Sequence, residues 1–382
     1  MDGPVRSPIS IPPEICGIIC QDPAIRYRDL HTFCSVSQAF RSEAERLLYI
    51  TIRLRGTRCI KAFCTTVARR PYLALRLKKL ILYMPPQMDL EADDLSRIMH
   101  AFSLSVNLKD LQILKDDTRG IGDKPGDAVQ RWILEGHRFR LRRFTNSYFQ
   151  PQVLVDFLKN QPAIDTLVLK CKGNAEICAA PLPMLSTLDS SAAVVQEFSY
   201  PSWHKRNIKR LQFEFVQSTD VQELATFVAL TQYNKSLKSL SIRRKDSRNG
   251  LDIAVLTACV ASQLPDIKYL RIMDYTTKLE TYHVPFLPFP IRLNHIETLV
   301  LRPPTRAYDD TDKDSKISAY MELRTPEGRK CAAERITTAL PTLTRLVIVG
   351  KHIHEFRKNL ETGVISEQEL KALDDQDWMK VS

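Results

Sequence analysis

Residues able to do covalent or metal chemistry are scattered along this chain rather than gathered. His352 and His354, two apart, are the closest spaced of the eight histidines. That spacing shares a face only on a strand, and no cysteine or carboxylate nearby stands at ligand spacing to complete a metal site. Nine cysteines, at 16, 20, 34, 59, 64, 171, 178, 259 and 331, include no Cys-x-x-Cys pair, so neither a zinc knuckle nor a disulfide framework is expected. Gly120-Ile121-Gly122 is followed by Asp123, an anion in a poor place for a phosphate-binding loop, and no Gly-x-Ser-x-Gly elbow occurs. The acidic run 309–314 lacks the glycine and terminal glutamate of a calcium loop. No metal, no cofactor and no catalytic centre is therefore expected.

What recurs instead is a cationic and aromatic set beside short apolar segments. Nine such segments read apolar-x-x-apolar-x-apolar: 77–82, 108–113, 141–146, 164–169, 208–213, 237–242, 267–272, 296–301 and 343–348. Their fourth positions (Leu80, Leu111, Phe144, Leu167, Leu211, Leu240, Leu270, Leu299, Leu346) are spaced 31, 33, 23, 44, 29, 30, 29 and 47 apart. A recurrence near 30 residues is the mark of a repeat solenoid. Side chains alternate along a strand, so the third, fifth and seventh positions share the face away from the helices. On it fall Lys79, Tyr83, Arg143, Lys170, Arg210, Gln212, Arg243, Tyr269, Arg271, Arg302 and Arg345. Guanidinium groups grip carboxylates and phosphates through paired hydrogen bonds, so this face is expected to bind a target protein, acidic or phosphorylated.

Helical patterns lie between the segments. Residues 151–161 open on Pro151 and bring Val153, Leu154, Phe157 and Leu158 to one face. Residues 220–230 offer Asp220 as cap, with Leu224, Phe227 and Val228 inward. Residues 252–263 repeat the pattern with Ile253, Leu256 and Val260, and 90–104 with Leu95, Ile98, Met99 and Phe102. Strand, helix and strand in one sense require a crossover, so the strands should be parallel. The expected fold class is α/β, a leucine-rich-repeat-like solenoid: a parallel β horseshoe with outer helices over 51–350. Residues 172–191 and 302–316 read as long loops, 192–198 as a strand outside the pattern, and 326–340 as a helix. Residues 351–382 read as a charged, helical cap.

Before the repeats, 9–50 differs in character, and 1–8 reads as disordered. Pro12-Pro13 opens a short helix with Ile15, Ile18 and Ile19 on one face. A second fits 29–35, and Ser37 caps a third with Phe40, Ala44, Leu47 and Leu48 along a stripe. So small a core cannot hide Ile11, Pro12, Ile15, Ile18, Ile19, Leu30, Val36, Phe40, Leu47 and Leu48 together, and an exposed apolar patch usually meets another protein.

Ile11-Pro12-Pro13-Glu14-Ile15-Cys16, then Asp29-Leu30, then Ser35-Val36-Ser37-Gln38-Ala39-Phe40 and Leu47-Leu48-Tyr49 resemble an F-box. The family pattern is Leu-Pro-x-Glu-hydrophobic, Asp-Leu, and Val-Cys-(Arg/Lys)-x-(Phe/Trp). This chain departs from it with Ser37 and Gln38 in the Cys-Arg region. An F-box followed by irregular leucine-rich repeats is similar to a fungal-type arrangement. The resemblance implies a substrate receptor of an SCF-type cullin-RING ubiquitin ligase. Ile11, Pro12, Ile15, Ile18, Ile19, Leu30, Val36, Phe40 and Leu47 would dock on a Skp-type linker protein and through it on cullin.

The chain has 382 residues, 44% hydrophobic and 26% charged, and a net charge of +11. Only 12 glycines occur, few for a protein of tight hairpins. The longest apolar run of the first 21 residues, 15–20, is too short for a signal peptide or a membrane span. With unpaired thiols, a cytoplasmic or nuclear protein is expected. From 46 to 88 there is no acidic residue but ten basic ones, Arg46 to Lys79. Such a stripe suits nucleic acid or an acidic partner, and sparse aromatic platforms beside it disfavour the former. The alternatives are a non-catalytic scaffold using this basic surface, or a degenerate F-box-like protein that no longer engages a ligase.

Overall fold

The computed structural model describes residues 11–85, 90–116, 133–170, 180–199, 207–245, 250–251, 253–275, 293–302 and 325–381. The chain divides into two compact units, 1–149 and 150–382. The Gly120–Asp123 stretch, the acidic run 309–314, Cys171 and Cys178, and residues 172–179 and 303–316 of the two expected loops lie outside the described residues.

The first unit opens with three short helices, α1 (Pro13–Gln21), α2 (Tyr27–Phe33) and α3 (Gln38–Ile50). Pro13 starts α1 where its missing N–H costs nothing. The Ser37 hydroxyl accepts the Phe40 amide to cap α3. Cys16, Cys20, Leu30, Phe40, Ala44 and Leu48 form the core of this trio. Then follow β1 (Thr51–Arg55), α4 (Gly56–Arg69), α5 (Pro71–Arg76), β2 (Lys79–Met84), α6 (Ala92–Leu104), β3 (Asp110–Lys115) and β4 (Arg143–Asn146). The strands pair in parallel and in chain order, with Leu80 opposite Leu111 and Leu111 opposite Phe144.

The second unit comprises α7 (Pro151–Lys159), β5 (Thr166–Leu169), β6 (Thr187–Ser191), α8 (Ala192–Ser199), β7 (Arg210–Val216), α9 (Asp220–Leu230), β8 (Ser239–Lys245), α10 (Ile253–Gln263), β9 (Tyr269–Asp274), β10 (Thr298–Arg302), α11 (Pro326–Ala339), β11 (Arg345–Val349), β12 (Ile353–Lys358) and β13 (Ile365–Leu370). From β5 to β11 neighbours are parallel, and one apolar row crosses them: Leu167, Leu188, Leu211, Leu240, Leu270, Leu299 and Leu346. Each of these leucines is buried. The fourth position of the motif thus sets the register, because a one-residue slip would turn the whole row to the other face. The architecture is α/β and solenoid-like within each unit.

Three expectations need correction. The 172–191 interval is not all loop: Leu185-x-x-Leu188 starts a repeat whose third apolar position is Ser190, and β6 splits the long interval in two. Residues 192–199 form helix α8, not a strand. The charged end is not helical: β12 and β13 form an antiparallel hairpin added to β11, and a short 3-10 turn follows at Asp377–Met379.

Helix α9 is also rotated from its sequence reading. Thr219, not Asp220, is the cap. Phe227 is buried as expected, but Val221, Leu224 and Val228 are exposed, and Glu223 points inward. Its carboxylate meets the buried Arg244 Nε at 3.2 Å and accepts from Ser218 Oγ at 2.7 Å and the Leu251 amide at 2.9 Å. Arg244 Nη1 also reaches Asp274 at 2.8 Å. Leaving a buried guanidinium uncompensated costs more than exposing valine and leucine, so the ionic cluster decides which face of α9 turns in.

Candidate functional site

Two surfaces carry the residues expected to bind partners. The first is the edge of the helical trio in the first unit. Its interior takes Leu30 and Phe40, with Ile19 and Leu47 half-buried against the same core. The expectation that these four lie open for docking is corrected for the first two, since the three helices have little else to bury. Outward stand Ile11, Pro12, Ile15, Ile18 and Val36. Ile15 is 45% exposed, Ile18 67% and Val36 60%. Ile15 and Ile18 lie three apart on α1, one face of a helix. Ile11 and Val36 line a shallow groove with Pro13, Gln38, Ala39 and Glu43. Fully burying a side chain of this size is worth about 1.5–3 kcal/mol, and Ile11, Ile15, Ile18 and Val36 forgo part of that.

The second surface is the strand face turned away from the helices in the second unit. The register aligns Thr187, Arg210, Ser239, Tyr269, Thr298 and Arg345 in one row, and Asp189, Gln212, Ser241, Arg271 and Val300 in the next. Arg243, Met273 and Arg302 align beyond them. Hydrogen bonds run across this face. Lys170 pairs with Asp189, Gln212 donates to Asp189 at 2.9 Å, and Ser241 donates to Gln212 at 3.0 Å. Arg302 lies over the Tyr275 ring, 4.2 Å from its centroid.

The end of the chain lies on this face. Trp378 is fully buried among Tyr269, Met273, Val300, Val347 and Val349. Its carbonyl accepts from Ser239 Oγ at 2.6 Å, and the Val381 carbonyl from Arg210 Nε at 2.8 Å. Asp375 meets Arg271 at 2.8 Å and Arg243 at 3.4 Å, and Asp377 meets Arg345 at 3.0 Å. Lys380 closes the turn on Asp374 and Asp377, and its hydrogen bond holds the Asp374 carboxyl below the usual range. Burial pushes the Tyr269 phenol up to about 12. Arg210, Arg243, Tyr269, Arg271 and Arg345 thus share one strand face, and the acidic segment against them is the chain's own. The signal was present, since Asp374, Asp375, Asp377 and Trp378 complement a row of arginines, but a helical reading of the tail hid it.

In the first unit, Lys79 pairs with Asp110 at 3.0 Å, Arg55 covers the Tyr83 ring at 4.6 Å, and Arg143 is exposed. The basic stripe is half compensated: besides Lys79, Arg46 pairs with Glu43, Arg70 with Glu45, Lys61 with Asp94 and Arg55 with Asp116. Those carboxylates precede or follow the stripe in sequence and return to it in space. Among the described residues no group of three or more His, Cys, Asp or Glu side chains is placed to hold a metal. His352 and His354 instead meet Glu369 and Glu367 of β13 at 2.8 and 3.0 Å. Seven described cysteines are free thiols, and burial pushes that of Cys64 up to about 12. No described helix is long and apolar enough to cross a membrane.

No protein-family model matches the sequence, and no curated protein matches it either.

Proposed function

We propose that this chain is the target-recognition subunit of an SCF-type cullin-RING ubiquitin ligase, working in the cytoplasm or nucleus. The observation that carries the reading is the apolar edge formed by Ile11, Ile15, Ile18 and Val36 on a helical trio too small to cover it. The F-box-like order of residues around it supports the same reading. In this role the chain performs no covalent step. It holds a target on its repeat face and raises the effective concentration of target lysines near a charged conjugating enzyme.

Binding of the purified full chain to a Skp-type linker tests the proposal. Ile15→Asp and Ile18→Asp leave the helical core untouched, and each should weaken binding about thirtyfold, the loss of roughly 2 kcal/mol expected for an interface anchor. Absence of binding by the wild-type chain, or equal binding by both variants, overturns the reading. Phe40→Asp is a poor probe, because Phe40 is in the core and its loss would report on folding.

A further inference from the structure

The segment 374–381 is held by contacts of unequal quality. Trp378 fills its cup completely, yet its Nε1–H has no acceptor. Arg271 is buried to 2% exposure, whereas the Asp375 carboxylate that faces it is 73% exposed. One oxygen of that carboxylate serves the Nη atoms of both Arg271 and Arg243. The Nε of each arginine is buried without an acceptor. Arg271 Nη1 also reaches the Asp375 backbone carbonyl, at 3.5 Å. Desolvated guanidinium groups are best stabilised by carboxylates that approach two N–H donors in parallel, and one shared, largely hydrated carboxylate oxygen beside a long carbonyl contact does not do this. The face therefore retains hydrogen-bonding capacity that its present occupant leaves unused.

We infer that the face formed by β7 to β11 is a binding site for an acidic linear peptide carrying an aromatic anchor, and that the chain's own 374–381 segment is its displaceable resident. The anchor enters the cup of Tyr269, Met273, Val300, Val347 and Val349. Acidic residues before it reach Arg243 and Arg271, the one beside it reaches Arg345, and backbone carbonyls accept from Ser239 and Arg210. The tail shows this arrangement in outline. A tethered occupant competes at an effective concentration set by its linker, often millimolar. An incoming peptide therefore needs better carboxylate geometry at Arg243 and Arg271, which the buried Nε groups provide for. This inference deepens the proposed function by giving the chemical class of the target segment, and it rests on that reading only in calling the segment a target.

The test uses the purified full chain without any ligase component, so its failure is separate from failure of linker binding. A labelled synthetic peptide of residues 371–382 is titrated, with anisotropy as readout, into the wild-type chain and into Asp375→Asn and Trp378→Ala variants. Weakening the resident should raise apparent affinity for the peptide about tenfold or more, by freeing the competent state. A peptide with tryptophan replaced by alanine should not bind, and adding Arg271→Glu to the receptor should abolish the gain. Hydrogen exchange on the unaltered chain supplies the second readout. Amides of 375–381 should exchange through a local opening faster than those of β8 and β9. If these tail amides exchange only with the sheet, or a folded tail variant binds no peptide, the tail is a fixed element and the inference fails.

Discussion

Arg244 and Arg271 are both buried on neighbouring strands, on opposite faces of the sheet, and their surroundings differ. Arg244 has Glu223 and Asp274, each itself buried and ion-paired. Burial raises the Glu223 carboxyl above its usual value, against the opposing effect of Arg244, Ser218 and the Leu251 amide. A side chain at Gly250 would collide with this cluster. Such a closed set is structural. Removing one partner leaves two carboxylates facing each other, so Arg244→Met should cost about 3–5 kcal/mol, read as a lowered urea midpoint. Arg271 is itself buried but faces a carboxylate in water, so Arg271→Met leaves no buried charge unpaired and should cost far less, about 1 kcal/mol or below. Comparable losses for both would show that the tail and the Glu223 cluster play the same structural part.

At the level of elements, apolar spacing made the regular repeats legible because parallel strands backed by helices need the same three buried positions each time. Leu188 escaped that pattern, since its partner position is Ser190 and small or polar residues surround it, although its side chain is fully buried. Leu188→Ala should cost about 2–5 kcal/mol in thermal or urea unfolding; a surface-loop leucine would give almost nothing. The orientation of α9 was illegible for a different reason. A charged pair distant in sequence, Glu223 with Arg244, outweighed the local apolar stripe. The hairpin of β12 and β13 was hidden by its charge, since Arg357, Glu355, Glu367 and Glu369 read as helical surface.

That hairpin also holds a histidine whose ionisation should make stability depend on pH. Burial, then Arg329 of α11, lowers the His354 pKa from its ordinary 6.5, against Glu367 and Glu369 on β13. His352, just before β12, faces Glu369. A histidine harder to protonate when folded leaves stability full above about 6.5 and diminished as pH falls below it. The Glu355 carboxyl meets a burial effect that raises it, but Arg357 and Arg345 hold it below 4.5, so its contribution is lost only in stronger acid. The thermal midpoint should therefore decline between pH 7.5 and 5.5 in the wild type and be flatter in His354→Gln. An equal decline in both would assign the effect elsewhere.

Across the whole molecule, the net charge of +11 suggests a polyanion binder, yet five of the ten cations of the basic stripe, Arg46, Arg55, Lys61, Arg70 and Lys79, pair with carboxylates of the first unit. Sequence showed the charges and could not show these pairings, because the acids lie before or after the stripe. Each unit instead presents one distinctive surface. The first has a bare apolar edge, and the second an arginine-lined strand face already covered by an acidic, aromatic segment. The apolar edge is the part most directly open to test, and hydrogen exchange of the full chain with saturating Skp-type linker reads it without mutation. If the linker docks there, amides of α1 and of the turn into α3 should slow about tenfold or more while those of β7 to β9 are unchanged. Exchange at α1 and that turn left unaltered by the linker would contradict it.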